Sequence, residues 1–448
     1  MRTITVDFAQ GLGAVKPLQG LCNGPVGYGT MVDVAHYYRK LTVPYVRLHD
    51  PNWPHPREVD IPQIFPDFGA DPDDPRSYDF RRTDSYLQAI LDTGARIVYR
   101  LGVSIEHTKT KYYTDPPADF EKWARICGGV VRHYTQGWAD GMRDAVSHWE
   151  IWNEPDIGDG RMWSGTWDQY MALYETAARY LKTMDPGLRV GGYAAANVAS
   201  DNLPRFLRHC QARKVPLDFF SWHTYAGSPD QVAKNARTVR KLLDEHGFAG
   251  AESHLNEWNY WAFDWETIFL PGYEFIRKEA FDLQKSEVGA SFAAAVLIGL
   301  QDERVDVANY YDGQPFALFC GLFDYHGVPQ KTYHAFEAFR RMLDYPQRVQ
   351  CARPDEDPNL YCLAAMDAAK GRAAVLVSSF GGRDGECVIR LKSAPFGAGA
   401  KCRVFMLDRD RNLEVASAQT VWSDGAEIKL LLRRHCVALV QVAERSRR

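Results

Sequence analysis

The sequence predicts an α/β protein, a (β/α)8 TIM barrel followed by a β-sandwich, and three observations support this fold. Between about residues 17 and 340, a short apolar run, a loop and a helical stretch alternate eight times. After residue 340, short alternating segments are separated by Gly, Asp and Pro turns. No strand is followed by the GxGxxG loop of a dinucleotide-binding open sheet, the competing topology. The expected domains are a barrel over 15–340 and a sandwich over 341–448, completed by a strand from 1–14.

Each barrel strand is predicted from an apolar run that ends at polar residues. The eight runs are LQGLCNG (18–24), YVRLHD (45–50), RIVYRLG (96–102), HWEIWNE (148–154), RVGGYAA (189–195), FFSWHTY (219–225), ESHLNEW (252–258) and VDVANYY (305–311). Segments 78–95 and 166–187 carry apolar residues at helical spacing and are predicted helices. The apolar run at 290–300 is too short to span a bilayer, so we expect a buried helix there.

Composition narrows the classes of function. The 448 residues are 46% hydrophobic and 25% charged, as in a globular protein. A formal net charge of −4 favours neither nucleic acid nor a membrane surface as a partner. No signal segment is visible and the nine cysteines form no CxxC pair, so we expect reduced thiols and a cytoplasmic location. Because HExxH and close Cys/His clusters are absent from the sequence, neither a metal nor a cofactor is expected. An oligomer is compatible with the sequence.

Polar residues gather where the predicted barrel strands end, which is where a parallel barrel carries its active site. Glu154 ends strand four and Glu257 lies near the end of strand seven, so both are expected to face one central pocket. Two carboxyl groups beside a pocket suit glycosidic bond cleavage, because one protonates the departing oxygen and the other attacks or activates water. Nearby tryptophans would lower the local dielectric and raise the pKa of a carboxyl group. These are Trp149, Trp152, Trp258 and Trp261.

The motifs WNEP (152–155) and LNEWN (255–259) resemble those of the retaining glycosidases built on (β/α)8 barrels. Within that clan, the whole chain resembles glycoside hydrolase family 39, the family of β-xylosidases and α-L-iduronidase. The resemblance implies that Glu154 is the general acid/base and that Glu257 is the nucleophile, which forms a covalent glycosyl–enzyme intermediate. It also implies that Asn153 holds the sugar 2-hydroxyl.

Further sugar contacts follow from the same resemblance. It implies that His223 contacts the sugar, that Tyr225 positions the nucleophile and that His49 touches the sugar in the non-reducing-end subsite. The competing interpretations are a core role for His49, bonded to a backbone carbonyl, and a bracing role at the rim for Tyr225. Four more substrate-binding residues are predicted from their places at or just beyond strand ends: Asp50, Trp258, Trp261 and Tyr310. Asp50 has no family counterpart and is expected to bind a hydroxyl or to pair with an arginine.

The leading prediction of function is an exo-acting, retaining, β-D-xylosidase-like enzyme that cleaves an oligosaccharide or glycoside. Three rivals stay open: an arabinosidase- or galactosidase-type exo-glycosidase on plant polysaccharide side chains, a non-catalytic carbohydrate-binding barrel, and an endo-acting enzyme. The stiff, proline-rich segment 51–75 is expected to roof the pocket, which disfavours the open groove of an endo-acting enzyme. Trp53 in it either stacks on substrate or anchors the loop. An iduronidase-like activity is less favoured, unless loops bring one of three cations over the site: Lys109, Lys111 or Arg161.

Overall fold

The computed structural model describes residues 2–27, 29–51, 57–105, 110–315, 319–421 and 425–444. Its strands are β1 (Arg2–Gly11), β2 (Gly20–Cys22), β3 (Val26–Gly27), β4 (Val32–Asp33), β5 (Tyr45–Leu48), β6 (Arg96–Leu101), β7 (Val146–Ile151), β8 (Val190–Ala195), β9 (Phe219–Ala226), β10 (Glu252–Tyr260), β11 (Val307–Tyr310), β12 (Gln347–Ala352), β13 (Leu360–Asp367), β14 (Arg372–Phe380), β15 (Gly385–Lys392), β16 (Ala400–Leu407), β17 (Asn412–Val421), β18 (Glu427–Leu432) and β19 (His435–Ala443). Its α-helices are α1 (Ala35–Leu41), α2 (Ile61–Ile64), α3 (Arg81–Leu91), α4 (Phe120–Thr135), α5 (Trp167–Met184), α6 (Asn202–Arg213), α7 (Pro229–Glu245), α8 (Trp265–Ile268), α9 (Glu274–Lys285), α10 (Glu287–Gly299) and α11 (Lys331–Met342).

Eight parallel strands close into a barrel in the order β10-β11-β2-β5-β6-β7-β8-β9. Each of the eight predicted barrel strands overlaps one of them, so the barrel prediction is confirmed. The helices predicted at 78–95 and 166–187 correspond to α3 and α5. Helix α5 begins with a capping box, in which the side chains of Thr166 and Gln169 each accept from the other's backbone N–H.

The interior of the barrel is polar, in contrast to the Val, Ile and Leu that usually fill such barrels. Side chains two residues apart along a strand face the same side, so the interior is built in layers. The layer near the amino-terminal ends of the strands contains Tyr45, His148 and His254. The next layer contains Arg47, Glu150 and Asn256. Buried polar groups need hydrogen-bond partners, and Arg47, Glu150 and Asn256 supply them to one another. This layer thereby fixes the orientation of the side chains nearer the carboxyl-terminal ends of the strands.

The remaining long strands form one sheet in the order β17-β16-β19-β14-β13-β12-β1-β15-β18. It is antiparallel except that β1 pairs in parallel with β15, a pair that the antiparallel prediction did not include. Val404 of β16 and Ile428 of β18, near opposite edges, belong to the same hydrophobic core. The sheet therefore curls over on itself, as the predicted sandwich requires. Because β1 also pairs with β12, we propose that 1–14 and 341–448 form one domain beside the barrel of 15–340.

Helix α10 lies between the barrel and the curled sheet, so its residues are mostly buried and apolar on all sides. The ring of Phe292 contacts Trp258 and Tyr260 of the barrel and also Phe380 of the sheet. The expectation of a buried helix over 290–300 is thus confirmed. No helix within the described ranges combines the length and the apolar character that a membrane crossing requires.

Candidate active site

Glu154 and Glu257 lie at the carboxyl-terminal rim of the barrel, as predicted. One carboxylate oxygen of each residue and a ring nitrogen of His223 all lie within 4.8 Å of one another. Glu154 is 8% exposed and Glu257 is 7% exposed, so both carboxyl groups are largely removed from water while each still reaches the surface of the site.

A turn with left-handed backbone conformations sets the direction of the Glu154 carboxyl group. After β7, Trp152 has a φ of 72° and Glu154 has a φ of 44°, both in the left-handed region. The backbone N–H of Glu154 donates to the carbonyl of Ala194 at 3.1 Å, which holds the turn against β8. As a result Glu154 reaches the rim, while the adjacent Asn153 contacts Arg47 inside the barrel.

A β-bulge in β10 sets the direction of the Glu257 carboxyl group. The pairing of β10 with β9 shifts between Leu255 and Glu257, which leaves Asn256 as the extra residue. Strict alternation from the inward-facing His254 would turn Glu257 outward. The bulge reverses this alternation, so Asn256 and Glu257 both face the interior.

The guanidinium of Arg47 on β5 connects the residues below the rim. It is fully buried and donates from Nη1 to Glu257 Oε2 at 2.9 Å, from Nη2 to Asn153 Oδ1 at 2.6 Å and from Nε to Glu150 Oε2 at 2.8 Å. Burial lowers the pKa of Arg47, but the charges of Glu150 and Glu257 outweigh burial and hold that pKa above its usual value. Arg47 therefore stays charged and supplies a fixed positive charge beneath the carboxyl pair.

Glu154 has the pKa of a group that exchanges protons near neutral pH. Its Oε1 lies 2.7 Å from Nδ1 of His223. Burial raises the pKa of Glu154 to about 7, although Arg47 and Arg161 oppose the rise. Burial also lowers the pKa of His223 to about 4, so its imidazole is neutral at pH 7. Glu154 can therefore both hold and accept a proton under the same conditions.

Glu257 is held mainly by donors that favour a carboxylate. The hydroxyl of Tyr225 donates to Glu257 Oε1 at 2.6 Å, and Arg47 donates to Oε2. Burial raises the pKa of Glu257 above its usual value and the charge of Glu154 adds to the rise, while His223, Arg47 and Tyr225 limit it. Each of its two oxygens thus has a fixed donor, which leaves the carboxylate in one orientation.

His49 and Asp50 lie together beside this pair. Asp50 is buried and accepts from the backbone N–H of Ile105 at 2.9 Å and from the hydroxyl of Tyr311 at 3.3 Å. Its Oδ2 lies 3.3 Å from Nε2 of His49. Burial and the charge of Glu257 raise the pKa of Asp50 well above its usual value. Asp50 therefore positions His49 and Tyr311, in place of the arginine pair that was one of the two expectations.

A further buried carboxyl group, Asp312, follows β11. Burial raises its pKa to about 8, and Gln314 donates to its Oδ2 at 2.7 Å. Its Oδ1 is buried and has no hydrogen-bond partner in the part of the chain that the structure describes. Asp312 was expected among the polar residues at the strand ends but was not one of the predicted substrate-binding residues.

A cluster of aromatic side chains packs against Tyr225. The ring of Trp261 stacks on Trp265, with centroids 4.1 Å apart, and Trp265 meets Tyr225 edge-on at 5.5 Å. Phe319 packs against all three rings. Trp261 is 4% exposed and Trp265 is 39% exposed, so the ring open to a ligand is Trp265, whereas the prediction named Trp261.

The structure contradicts two predicted substrate contacts, Trp258 and Tyr310. Both side chains are fully buried, contact each other at 5.1 Å and pack against Phe336 of α11 on the helix-facing side of the barrel. The bulge in β10 turns Trp258 outward, and alternation along β11 turns Tyr310 outward while Tyr311 faces the site.

The tryptophans before Glu154 also lie outside the pocket, since Trp149 packs on Tyr99 and Trp152 packs on Trp123 and Trp163. Trp53 and Lys109 of the predicted rim lie outside the described residues.

Two unpredicted residues of the site, Arg47 and Glu150, could have been identified from the alternation of side chains along their strands. Arg47 precedes His49 by two residues, so an inward His49 implies an inward Arg47. Glu150 follows His148 by two residues, so an inward His148 implies an inward Glu150. Trp265 had no such signal, because it begins the short helix α8 beyond the end of β10 and does not belong to a barrel strand.

Within the described ranges, two sets of side chains could hold a divalent cation by their geometry. Glu154, His223 and Glu257 form the first, where Arg47 already supplies a positive charge to Glu257. His148, Glu252 and His254 form the second, at the opposite end of the barrel.

Comparison with known proteins identifies the family to which the sequence is similar. A family model described as Glycosyl hydrolases family 39 matches residues 37–375. A β-xylosidase of Caldicellulosiruptor saccharolyticus is 26% identical over 409 residues, which cover 84% of this chain and 78% of that protein. A β-xylosidase of Geobacillus stearothermophilus is 27% identical over 304 residues, which cover 60% of this chain and 56% of that protein.

Solved structures share the whole architecture. A glucosidase of Croceicoccus marinus superposes with a TM-score of 0.82 at 26% identity, and the match covers 100% of both chains. A monomeric β-xylosidase of Caulobacter crescentus CB15 superposes with a TM-score of 0.73 at 20% identity, covering 99% of this chain and 100% of the other. At 20% identity, the second likeness shows the fold alone.

Proposed function

The chain belongs to glycosyl hydrolases family 39 and is therefore a glycoside hydrolase, and we propose that it is a retaining exo-glycosidase with β-D-xylosidase activity. The observation that carries the retaining mechanism is the separation of the carboxyl pair, whose facing atoms lie within 4.8 Å. Retaining enzymes hold the two carboxyl groups about 5–5.5 Å apart, whereas inverting enzymes need about 6.5–9.5 Å to admit a water molecule.

In the first step, Glu257 attacks the anomeric carbon while Glu154 gives its proton to the departing glycosidic oxygen. The positive charge of Arg47 and the hydroxyl of Tyr225 orient Glu257 and favour its ionised form, and burial keeps a proton on Glu154 near neutral pH. In the second step, Glu154 takes a proton from water, and the water oxygen displaces Glu257 from the anomeric carbon. Two displacements at one carbon restore its original configuration.

An unsatisfied polar atom beside the carboxyl pair supports binding of a sugar. The Nδ2 of Asn153 is buried and lacks a hydrogen-bond partner among the described residues. A buried donor without a partner costs about 1–3 kcal/mol, so a hydroxyl that satisfies it gains affinity. We assign Asn153 and His223 to sugar hydroxyls, and we assign His49, Asp50 and Asp312 to the neighbouring part of the same subsite.

Xylose is the first candidate for the released sugar because the two curated relatives described above are β-xylosidases. Glucose is the second candidate, because the glucosidase of Croceicoccus marinus resembles the chain over its full length at 26% identity. Arabinose and galactose stay open as the alternatives considered from the sequence. We also keep the cytoplasm as the proposed location, since all nine cysteines are free thiols.

A panel of aryl glycosides tests the function. The panel contains β-xylose, β-glucose, β-galactose, both anomers of L-arabinose and a uronic acid, with Glu257→Gln as the inactive control. We expect hydrolysis of the β-xyloside and no turnover by the variant. Stronger hydrolysis of another glycoside would replace xylose, and equal rates in the variant would remove the proposed nucleophile.

Oligosaccharides test the exo-acting mode separately. With xylo-oligosaccharides labelled at the reducing end, we expect monosaccharide release that shortens the labelled chain by one sugar at a time. An early mixture of labelled lengths would contradict exo action and would favour an endo-acting enzyme.

A further inference from the structure

A second cluster of titratable side chains lies at the floor of the barrel, at the end opposite the carboxyl pair. It consists of His148 on β7 together with Glu252 and His254 on β10. The Nε2 of His148 lies 3.0 Å from Glu252 Oε2, and the Nε2 of His254 lies 2.9 Å from the same oxygen. Two imidazole nitrogens thus face one carboxylate oxygen, in strands separated by β8 and β9.

The hydrogen bonds of the Ser147 hydroxyl define which ring nitrogen of His148 carries the proton. The hydroxyl of Ser147 donates to the backbone carbonyl of Ile97 at 2.7 Å, where the pairing of β6 with β7 is irregular. The same oxygen lies 2.9 Å from Nδ1 of His148. A hydroxyl has one proton, so Ser147 accepts from the Nδ1–H of His148. The lone pair on Nε2 then points at Glu252, unless Nε2 carries a second proton or faces a cation.

This arrangement is the one that metal-binding histidines usually have. Such a histidine donates its other ring N–H to a hydrogen-bond acceptor, which fixes the tautomer and the ring orientation. Here Ser147 plays that part for His148. A tetrahedral Zn²⁺ at about 2.0–2.1 Å from each ligand would separate the ligand atoms by about 3.3 Å. The two nitrogen–oxygen separations, 3.0 and 2.9 Å, are a few tenths of an ångström shorter, and the ligand atoms of all three residues lie within 4.8 Å of one another.

The surroundings leave one carboxylate oxygen available and give an ion access. Arg189 pairs with Glu252 Oε1 at 2.7 Å, so Oε2 alone faces the two imidazoles. The side chain of Glu252 is 28% exposed, whereas those of the two histidines are nearly fully buried. An open cavity of about 550 Å³ lies beside this end of the barrel, and its lining includes Arg189, the partner of Glu252, and Ala251, the residue before it. The exposed part of Glu252 is where water would supply the fourth ligand.

We propose that His148, Glu252 and His254 form a structural site for a transition-metal ion of the Zn²⁺ class, independent of the hydrolytic site. Two imidazole nitrogens and one carboxylate oxygen suit Zn²⁺, Co²⁺ or Ni²⁺, whereas Mg²⁺ and Ca²⁺ prefer oxygen ligands alone. The ion would tie β7 to β10 across the floor of the barrel and would stabilise the closed barrel, since it binds the folded state.

The test is thermal unfolding of the chelator-treated full chain with and without Zn²⁺. At a Zn²⁺ concentration well above the Kd, we expect the midpoint to rise by about 2 °C or more, and we expect Mg²⁺ to have no effect. His148→Ala and His254→Ala should abolish the rise. His209→Ala is the matched control, because His209 also faces a single carboxylate, Glu175, at 2.9 Å but has no second histidine facing it there.

Two further measurements make the result decisive. Glu257→Gln should keep the Zn²⁺ response, which separates the floor of the barrel from the carboxyl pair at the rim. Co²⁺ should give the visible absorption of a bound ion in the wild type and in His209→Ala, and none in His148→Ala. The absence of a Zn²⁺ response, with NMR showing both ring nitrogens of His148 protonated at neutral pH, would overturn the proposal. Loss of the response in Glu257→Gln would overturn it as well.

Discussion

The pKa of Glu154 predicts the alkaline limb of the pH–rate profile. The general acid must be protonated in the free enzyme, so kcat/KM follows its protonated fraction. With a pKa of about 7, that fraction falls from about nine-tenths at pH 6 to about one-tenth at pH 8. We therefore expect kcat/KM to fall about tenfold between pH 6 and pH 8.

The substitution Glu154→Gln keeps the shape of the side chain and removes the proton. For an alkyl glycoside, whose leaving group needs protonation, we expect kcat/KM to fall by about 10²–10⁴ at pH 6. For a dinitrophenyl glycoside, which leaves without help, we expect a much smaller loss. With either substrate the dependence on pH above 6 should disappear, because the titrating group is gone.

The assay is initial-rate hydrolysis of both glycosides from pH 5 to 9. The matched control is Glu266→Gln, which changes an exposed glutamate at the start of α8 and should keep the wild-type profile. An alkaline limb that persists in Glu154→Gln, or equal losses on the two substrates, would refute the assignment of Glu154 as the acid.

Four other predictions concern the groups around this acid. Tyr225→Phe removes the hydrogen bond to Glu257 and should lower kcat about tenfold or more with little change in KM; a change confined to KM would refute the positioning role. Arg47→Met leaves two buried carboxylates without a counter-charge, so chemical denaturation should show a loss of about 3–5 kcal/mol, and unchanged stability would contradict the role of that charge. Trp265→Ala should raise KM for aryl glycosides but leave the hydrolysis of a glycosyl fluoride, which has no ring in that position, unchanged. Glu154→Gln should raise the free energy of unfolding at pH 8 by about 3 kcal/mol, and by less toward pH 5. The reason is that the carboxyl group of Glu154 keeps its proton up to pH about 7 in the folded state, whereas it releases the proton near pH 4.5 in the unfolded state. Equal stability of the variant and the wild type at pH 8 would contradict the raised pKa.

The eight-fold alternation of the sequence was enough to predict the barrel and the strand ends where Glu154 and Glu257 lie. Strand alternation, applied from the predicted site residue His49, would also have indicated that Arg47 faces the interior, where it meets Glu150. Those residues form the electrostatic support of the site, and they come from strand interiors that usually carry aliphatic side chains.

Local backbone irregularity limited the rest of the prediction. One extra residue in β10 reverses which side chains face the pocket, so Trp258 lies in the core although its neighbour Glu257 lies at the rim. The hydrophobic pattern is the same with and without that bulge, since both faces of β10 are buried. The parallel pairing of β1 with β15 had no signal either, because it joins strands nearly 400 residues apart.

Trapping of the covalent intermediate tests the central claim most directly. A dinitrophenyl 2-deoxy-2-fluoro-glycoside of the preferred sugar forms the intermediate quickly but releases it slowly, because fluorine destabilises both transition states. After digestion, mass spectrometry should find one fluoroglycosyl group per chain, attached to Glu257. A label on another residue, or turnover to a product of inverted configuration without any label, would contradict double displacement through Glu257.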